Sequence, residues 1–359
     1  MRITTSMIFS HIASSLQKNT EEYAHLNERL ATGKKINRIS EDVSGSVNAL
    51  GYRLDISIND QYKRNIDKTN IQLDYTTKIL DSVSNSLINL HELAAMGNNA
   101  QSEDKRMFYS KQAADWRDYF LSLSNSKLDG KFIFSGNKTD KQTFVYNSVT
   151  GKYDYQGDNG EINILIDKEA SVVMNIQGSR AFSISLTEPL PATLSDGTPI
   201  SFTQAKDPLT GVNTITVEIG NSGDPDYDTF TFSSIMDIAN IMSYAWKYSD
   251  INGSSLNSDP EVAEKMALHR IAALAKPIDD ARVQTTGIQS EIGARQIVLN
   301  DQSKRLSSST LVMQNTLTKI EDADMTETAT ELLKTQTALE ALRASASKII
   351  SQSLLDFLK

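Results

Sequence analysis

The sequence has no cysteine. Disulfides, thiolate nucleophiles and Cys-ligated metals are therefore excluded together. It fits a chain that is exported unfolded and must not cross-link. No run of about 18 apolar residues is present, so nothing is expected to span a membrane. Met1-Arg2-Ile3-Thr4-Thr5-Ser6 opens the sequence without the apolar core of a secretory signal, so export, if it occurs, is expected by another route. Aromatic residues make up only 7%. The expected core is therefore Leu, Ile and Ala on long helices rather than bulky rings. Proline is missing from the first 188 and last 82 residues, and all seven lie between Pro189 and Pro277. Helix breakers thus set off a central region from two flanks that are free to be helical. The net charge is −9, and residues 137–257 hold 15 acidic against 7 basic side chains. An acidic middle opposes binding to nucleic acid, which depends on phosphate neutralisation.

The flanks carry helical spacing. Ile12, Leu16, Asn19, Tyr23, Leu26 and Leu30 recur at steps of four and three, up to a polar break at residues 31–35. Leu73, Thr76, Leu80, Val83, Leu87, Leu90 and Ala94 share one face. Ile292, Leu299, Leu306, Met313 and Ile320 fall at every seventh residue, with Thr285, Ile288, Arg295, Gln302, Ser309 and Thr316 on the alternate seam. A last helix offers Leu332, Leu339, Leu342, Ala346 and Ile349. Such periodicity predicts helices that pack along their length. A helix from Val47 to Gly97 would be roughly 75 Å long, too long for a compact domain. The polar seam positions suggest burial completed by neighbouring subunits. Ser258-Asp259-Pro260-Glu261 predicts a capped helix start. Asp322-Ala323-Asp324 predicts a break and restart, and Pro277 a kink or break.

The middle changes period. Residues 214–219 and 229–232 alternate as strands. Residues 144–146 and 153–155 flank a hairpin loop containing Gly151, and 162–166 and 172–176 read as further strands. A helix is expected over Ser234–Tyr248. The whole predicts an α+β chain. It would be an elongated rod of long N- and C-terminal helices, a coiled-coil hairpin, with an inserted β-rich outer domain. The expected parts are 1–45 with 320–359 as terminal helices, 46–136 with 258–319 as a helical rod domain, and 137–257 as the variable domain.

Several motifs carry a resemblance. Leu26-Asn27-Glu28-Arg29-Leu30-Ala31-Thr32-Gly33-Lys34-Lys35-Ile36-Asn37, then Ser40-Glu41-Asp42 and Leu90-His91-Glu92-Leu93-Ala94, resemble the N-terminal signature of the flagellin superfamily. Ile292-Gly293-Ala294-Arg295 and Glu321-Asp322-Ala323-Asp324 resemble its C-terminal motifs. Gly130-Lys131-Phe132-Ile133-Phe134-Ser135-Gly136 and the closing Ser353-Leu354-Leu355-Asp356-Phe357-Leu358 are similar to the hook–filament junction branch of that superfamily.

The resemblance implies a non-enzymatic, secreted structural adaptor of the bacterial flagellum, joining the hook to the flagellin filament. Its partners would be the hook-side hook-associated protein, flagellin, further copies of itself in a ring, and a flagellar type III export chaperone. Terminal helices of this kind are expected to fold on assembly. The candidate assembly and chaperone interface is Ile12, Leu16, Tyr23, Leu26, Leu30, Leu332, Leu339, Leu342, Ile349, Leu354, Leu355 and Leu358. The alternatives are flagellin itself, an exported coiled-coil effector, or an exported enzyme with its activity in residues 137–257.

No catalytic, cofactor or metal site is expected. His11, His25, His91 and His269 show no compact ligand spacing, and solvent-facing or helix-flanking roles are favoured for them. Asp224-Pro225-Asp226-Tyr227-Asp228 lacks the Gly and the final Glu of a calcium loop and reads as an acidic turn. Gly33-Lys34-Lys35 reads as a helix-ending turn rather than a phosphate loop.

Overall fold

The computed structural model describes residues 5–98, 102–208 and 210–357, without the side chains of residues 5, 6, 8, 98 and 349–357. The chain forms two compact units, Met1–Gln61 with Lys304–Lys359, and Tyr62–Ser303.

In the first unit, α1 (Thr5–Thr32) ends where Gly33 takes φ 68°, a left-handed helix stop that a side chain would strain. Asp42 caps the next helix by accepting the Gly45 amide at 2.8 Å. That helix, α2 (Val43–Ala95), contributes residues 43–61 to this unit. The break expected at residues 322–324 is present. One helix ends at Glu321, Asp324 accepts the amides of Thr326 (2.8 Å) and Glu327 (3.1 Å), and a final helix runs from Met325 to Phe357.

In the second unit, α2 continues to Ala95 and a short 3₁₀ turn, Met96–Asn98, follows it. Helix α3 (Glu103–Ser124) lies inside the 46–136 stretch expected to be helical, although no apolar spacing marked its bounds. Leu73, Leu80, Val83, Leu87 and Leu90 are fully buried, as their spacing predicts. Next come the hairpin β1 (Lys127–Leu128) and β2 (Lys131–Phe132), then β3 (Phe144–Asn147) antiparallel to β4 (Lys152–Tyr155), then β5 (Asn163–Leu165) antiparallel to β6 (Ser171–Val173). Asp129 (φ 52°) and Gly130 (φ 77°) turn the first hairpin, the two positive angles a two-residue loop requires. A single turn, α4 (Gly178–Ala181), leads to a sheet of β7 (Ile200–Lys206), β8 (Asn213–Ile219) and β9 (Asp228–Phe232), all antiparallel. Strand β7 was missed because its outer residues are polar and exposed.

Helix α5 (Ile235–Ala245) opens on a capping box between Ser234 and Asp237. Helix α6 (Pro260–Ala273) starts with Asp259 as cap and Pro260 at its first position. Helix α7 (Ala275–Glu321) follows after Leu274 alone, and α8 is the final helix already described. The break precedes Pro277 because its ring would clash with the carbonyl four residues back, at Ala273.

Two expectations are corrected. The core is not free of bulky rings, since Trp246, Phe120, Phe134, Phe144, Phe182 and Phe232 are fully buried. Phe134 and Phe182 stack edge to face at 4.9 Å, and Tyr109 lies 5.0 Å from Trp246. Few aromatics suffice because they are concentrated in this unit. The polar seam residues Arg295 and Gln302 do not await a neighbour. Arg295 donates to the carbonyls of Val173 (3.0 Å) and Asn175 (3.2 Å), and Gln302 to that of Ile166 (3.3 Å).

Candidate assembly interface

Helices α1 and α8 pack on each other within the first unit. The seam positions lose exposure in this packing. Leu26 and Leu339 are buried, while Ile12, Leu16, Tyr23, Leu30, Leu332 and Leu342 are half-buried. Two helices alone bury one stripe each and leave the others open. Leu358 and the side chains of Ile349, Leu354 and Leu355 lie outside the described residues.

The two terminal signature motifs meet here. Lys34 and Asp322 form an antiparallel β-bridge, with the Lys35 amide donating to the Glu321 carbonyl at 2.6 Å and the Ala323 amide to that of Gly33 at 2.9 Å. The Glu321 carboxylate accepts from Lys34 Nζ at 3.1 Å and from Arg53 Nη2 at 2.6 Å. Burial raises its pKa, but the hydrogen bonds from Lys34 and Arg53 and their charges outweigh this and hold it below the usual carboxylate value. A turn after the first helix, the start of the second and the end of the seventh are thereby tied to one carboxylate.

Beside this tie lies an apolar face. Val43, Val47, Leu50, Leu54 and Ile58 fall on one side of α2, spaced by fours and three, and Ile39 precedes them. All six are exposed, by 40% to 71%. A surface groove of about 400 Å³ runs along it, lined by Ile36, Ile39, Val47 and Leu50 together with Lys34, Arg38 and Arg53. Elsewhere in the same unit Leu311, Val312 and Leu333 are also exposed. A contiguous apolar stripe flanked by charge is more than the scattered apolar residues of an ordinary solvated helix. The signal was available in the sequence, but the 43–58 spacing was not separated from that of residues 73–94.

His11 and His91 are exposed on their helices, as expected, and one histidine departs from expectation. His269 is not solvent-facing. Its ring is buried, with Nε2 at 2.8 Å from Asp196 Oδ2. His25 faces Glu41. The acidic turn pairs inward, Asp226 with Lys265 at 2.7 Å and buried Asp228 with Arg270, two residues of α6. Among the described residues no helix is long and apolar enough to cross a membrane.

Models of the bacterial flagellin N-terminal and C-terminal helical regions match residues 3–139 and 275–358, together more than half of the chain. The chain belongs to the flagellin family. Within it, the chain is similar to flagellar hook-associated protein 3. It is 24% identical to that of Salmonella typhimurium over 193 residues, which is 53% of this chain and 60% of the relative. It is 24% identical to that of Escherichia coli over 184 residues, 51% and 57% of the two chains. The matched region thus spans less than two thirds of these relatives. The fold is shared with the crystal structure of hook-associated protein 3 from Legionella pneumophila (TM-score 0.55, 21% identity, 75% of this chain and 98% of that one). It is also shared with a putative flagellar hook-associated protein from Vibrio parahaemolyticus (0.56, 19%, 79% and 100%).

Proposed function

We propose that the chain is a structural, non-enzymatic adaptor of the bacterial flagellum, placed between the hook and the flagellin filament. The observation that carries this reading is the apolar stripe from Ile39 to Ile58 beside a half-open pair of terminal helices. Such a unit exposes surface that neighbouring subunits can bury. Its relatives named hook-associated protein 3 supply the place in the organelle. The partners would be the hook-side hook-associated protein on one face, flagellin on the other, and copies of this chain around a ring. Residues 1–45 with 320–359 would line the inner tube, 46–136 with 258–319 the next helical shell, and 137–257 the outside.

The subunit would reach the cell exterior through the flagellar type III channel. A chaperone would first cover Leu332, Leu339, Leu342, Ile349, Leu354, Leu355 and Leu358. Pull-down with a chain truncated before Glu331 tests that step, and undiminished chaperone binding refutes it.

Deletion of the gene in a flagellated host tests the main reading, with electron microscopy of the cells and an assay of flagellin in the medium. Bare hooks with abundant unpolymerised flagellin outside are expected. Bare hooks with no flagellin anywhere would make this chain the filament protein instead. Normal filaments would overturn both readings.

A further inference from the structure

Three metal-ligating side chains converge where α1 meets the turn into α2. His25 and Glu28 stand three residues apart on one face of α1, and Glu41 comes from the turn. Their donor atoms all lie within 4.8 Å of one another. His25 Nδ1 and Glu41 Oε1 are 3.3 Å apart, and the Glu41 side chain is only 13% exposed. Yet Oε1 is buried and makes no hydrogen bond. The other Glu41 oxygen accepts the Asn37 amide at 3.0 Å, which fixes the carboxylate. Glu28 is held in turn by Arg38, whose Nη2 donates to Oε2 at 3.2 Å.

In a tetrahedral zinc site with bonds of about 2.1 Å, neighbouring ligand atoms stand about 3.4 Å apart. The 3.3 Å between the His25 ring nitrogen and the buried Glu41 oxygen makes an ion pair when the imidazole is protonated, and with a neutral imidazole it is the spacing of two ligands on one cation. We propose that His25, Glu28 and Glu41 form a three-ligand site for a borderline divalent cation, Zn²⁺ foremost, with solvent in the fourth position. Imidazole nitrogen with carboxylate oxygens suits that ion better than Ca²⁺ or Mg²⁺, which take all-oxygen shells. The positive charges of Arg38 on Glu28 and Arg29 near Glu41 oppose a second cation, so binding is modest and reversible. Occupancy would tie the last turns of α1 to the turn that leads into the apolar stripe. The site is argued from this chain's own residues; only the measurement on hooks below rests on the junction reading.

The test is calorimetric titration of the untagged full chain with Zn²⁺, and with Co²⁺ as a spectroscopic probe. One saturable equivalent and the strong visible absorption of tetrahedral Co²⁺ are expected. His25→Gln should lower affinity at least tenfold and abolish that spectrum. It changes a ring already 41% exposed, so circular dichroism should stay that of the parent. Glu41→Gln should do the same to binding. Metal analysis of isolated hooks from parent and His25→Gln cells covers the case in which α1 orders only on assembly. Binding that survives His25→Gln overturns the proposal, as does zinc missing from both the free chain and the hooks.

Discussion

Replacing Leu50 by Glu separates a docking surface from a piece of core. Leu50 sits in the middle of the stripe on α2 and is 68% exposed. Glu is nearly as good a helix former as Leu, so the isolated subunit should change by no more than about 0.5 kcal/mol. In the assembly the cost is different. Burying the exposed two thirds of a Leu contributes about 1–2 kcal/mol, and an unpaired polar group in an apolar contact costs about 1–3 kcal/mol more. The sum, roughly 2–5 kcal/mol per contact, corresponds to a loss of affinity from about thirtyfold to several thousandfold. Asn48→Glu is the control, adding the same charge about 100° further round the helix from Val47. The assay compares export of the variant, its melting by circular dichroism, and filaments seen by electron microscopy. Leu50→Glu should be exported and melt like the parent while filaments fall away and flagellin accumulates outside. Intact filaments with Leu50→Glu and with a Leu50→Glu/Leu54→Glu pair would refute the interface. A large drop in melting temperature would show instead that the stripe is internal.

Three further outcomes are expected. Glu321→Gln should cost only about 1 kcal/mol in chemical denaturation, because Lys34 and Arg53 are half-exposed and rehydrate. The native carboxylate is held below its usual 4.5, so its contribution is present above that pH and is lost on acidification, a loss the Gln variant should lack. Asp237→Ala should destabilise the second unit by about 3–5 kcal/mol, since one buried carboxylate accepts from the Tyr153, Ser233 and Ser234 amides and the Ser233 hydroxyl. A loss under 1 kcal/mol would contradict this. Asp196 is opposed by partial burial, but hydrogen bonds from Thr198 and His269 lower it from 3.8 to about 2. Its stabilisation is therefore full above pH 3.8 and fades as the pH falls towards 2. After discounting for its 44% exposure it amounts to about 1 kcal/mol, which Asp196→Asn should remove at pH 5 and above in urea titrations.

The sequence by itself determined most of the long helices and several of their stops. Period 3.6 over 73–94, Gly33, Asp324 and the Asp259-Pro260 pair act through local backbone chemistry, and each appears where the spacing puts it. Strands 144–147, 152–155 and 213–219 were equally legible, because alternation is a two-residue rule. The order of short motifs at both ends carried the family. Only the tertiary structure decided which distant residues meet. Glu321 reaches Lys34 across 287 positions, and no periodicity encodes that distance. Arg295 and Gln302 looked like weak seam positions until folding brought the β5–β6 carbonyls to them. His269 looked like a surface residue until Asp196 covered it. The stripe from Ile39 to Ile58 has the spacing of a core face, and a helical repeat reads alike whether its apolar side is buried or bare. Its exposure depends on what the rest of the chain leaves uncovered, which is a property of the folded unit alone.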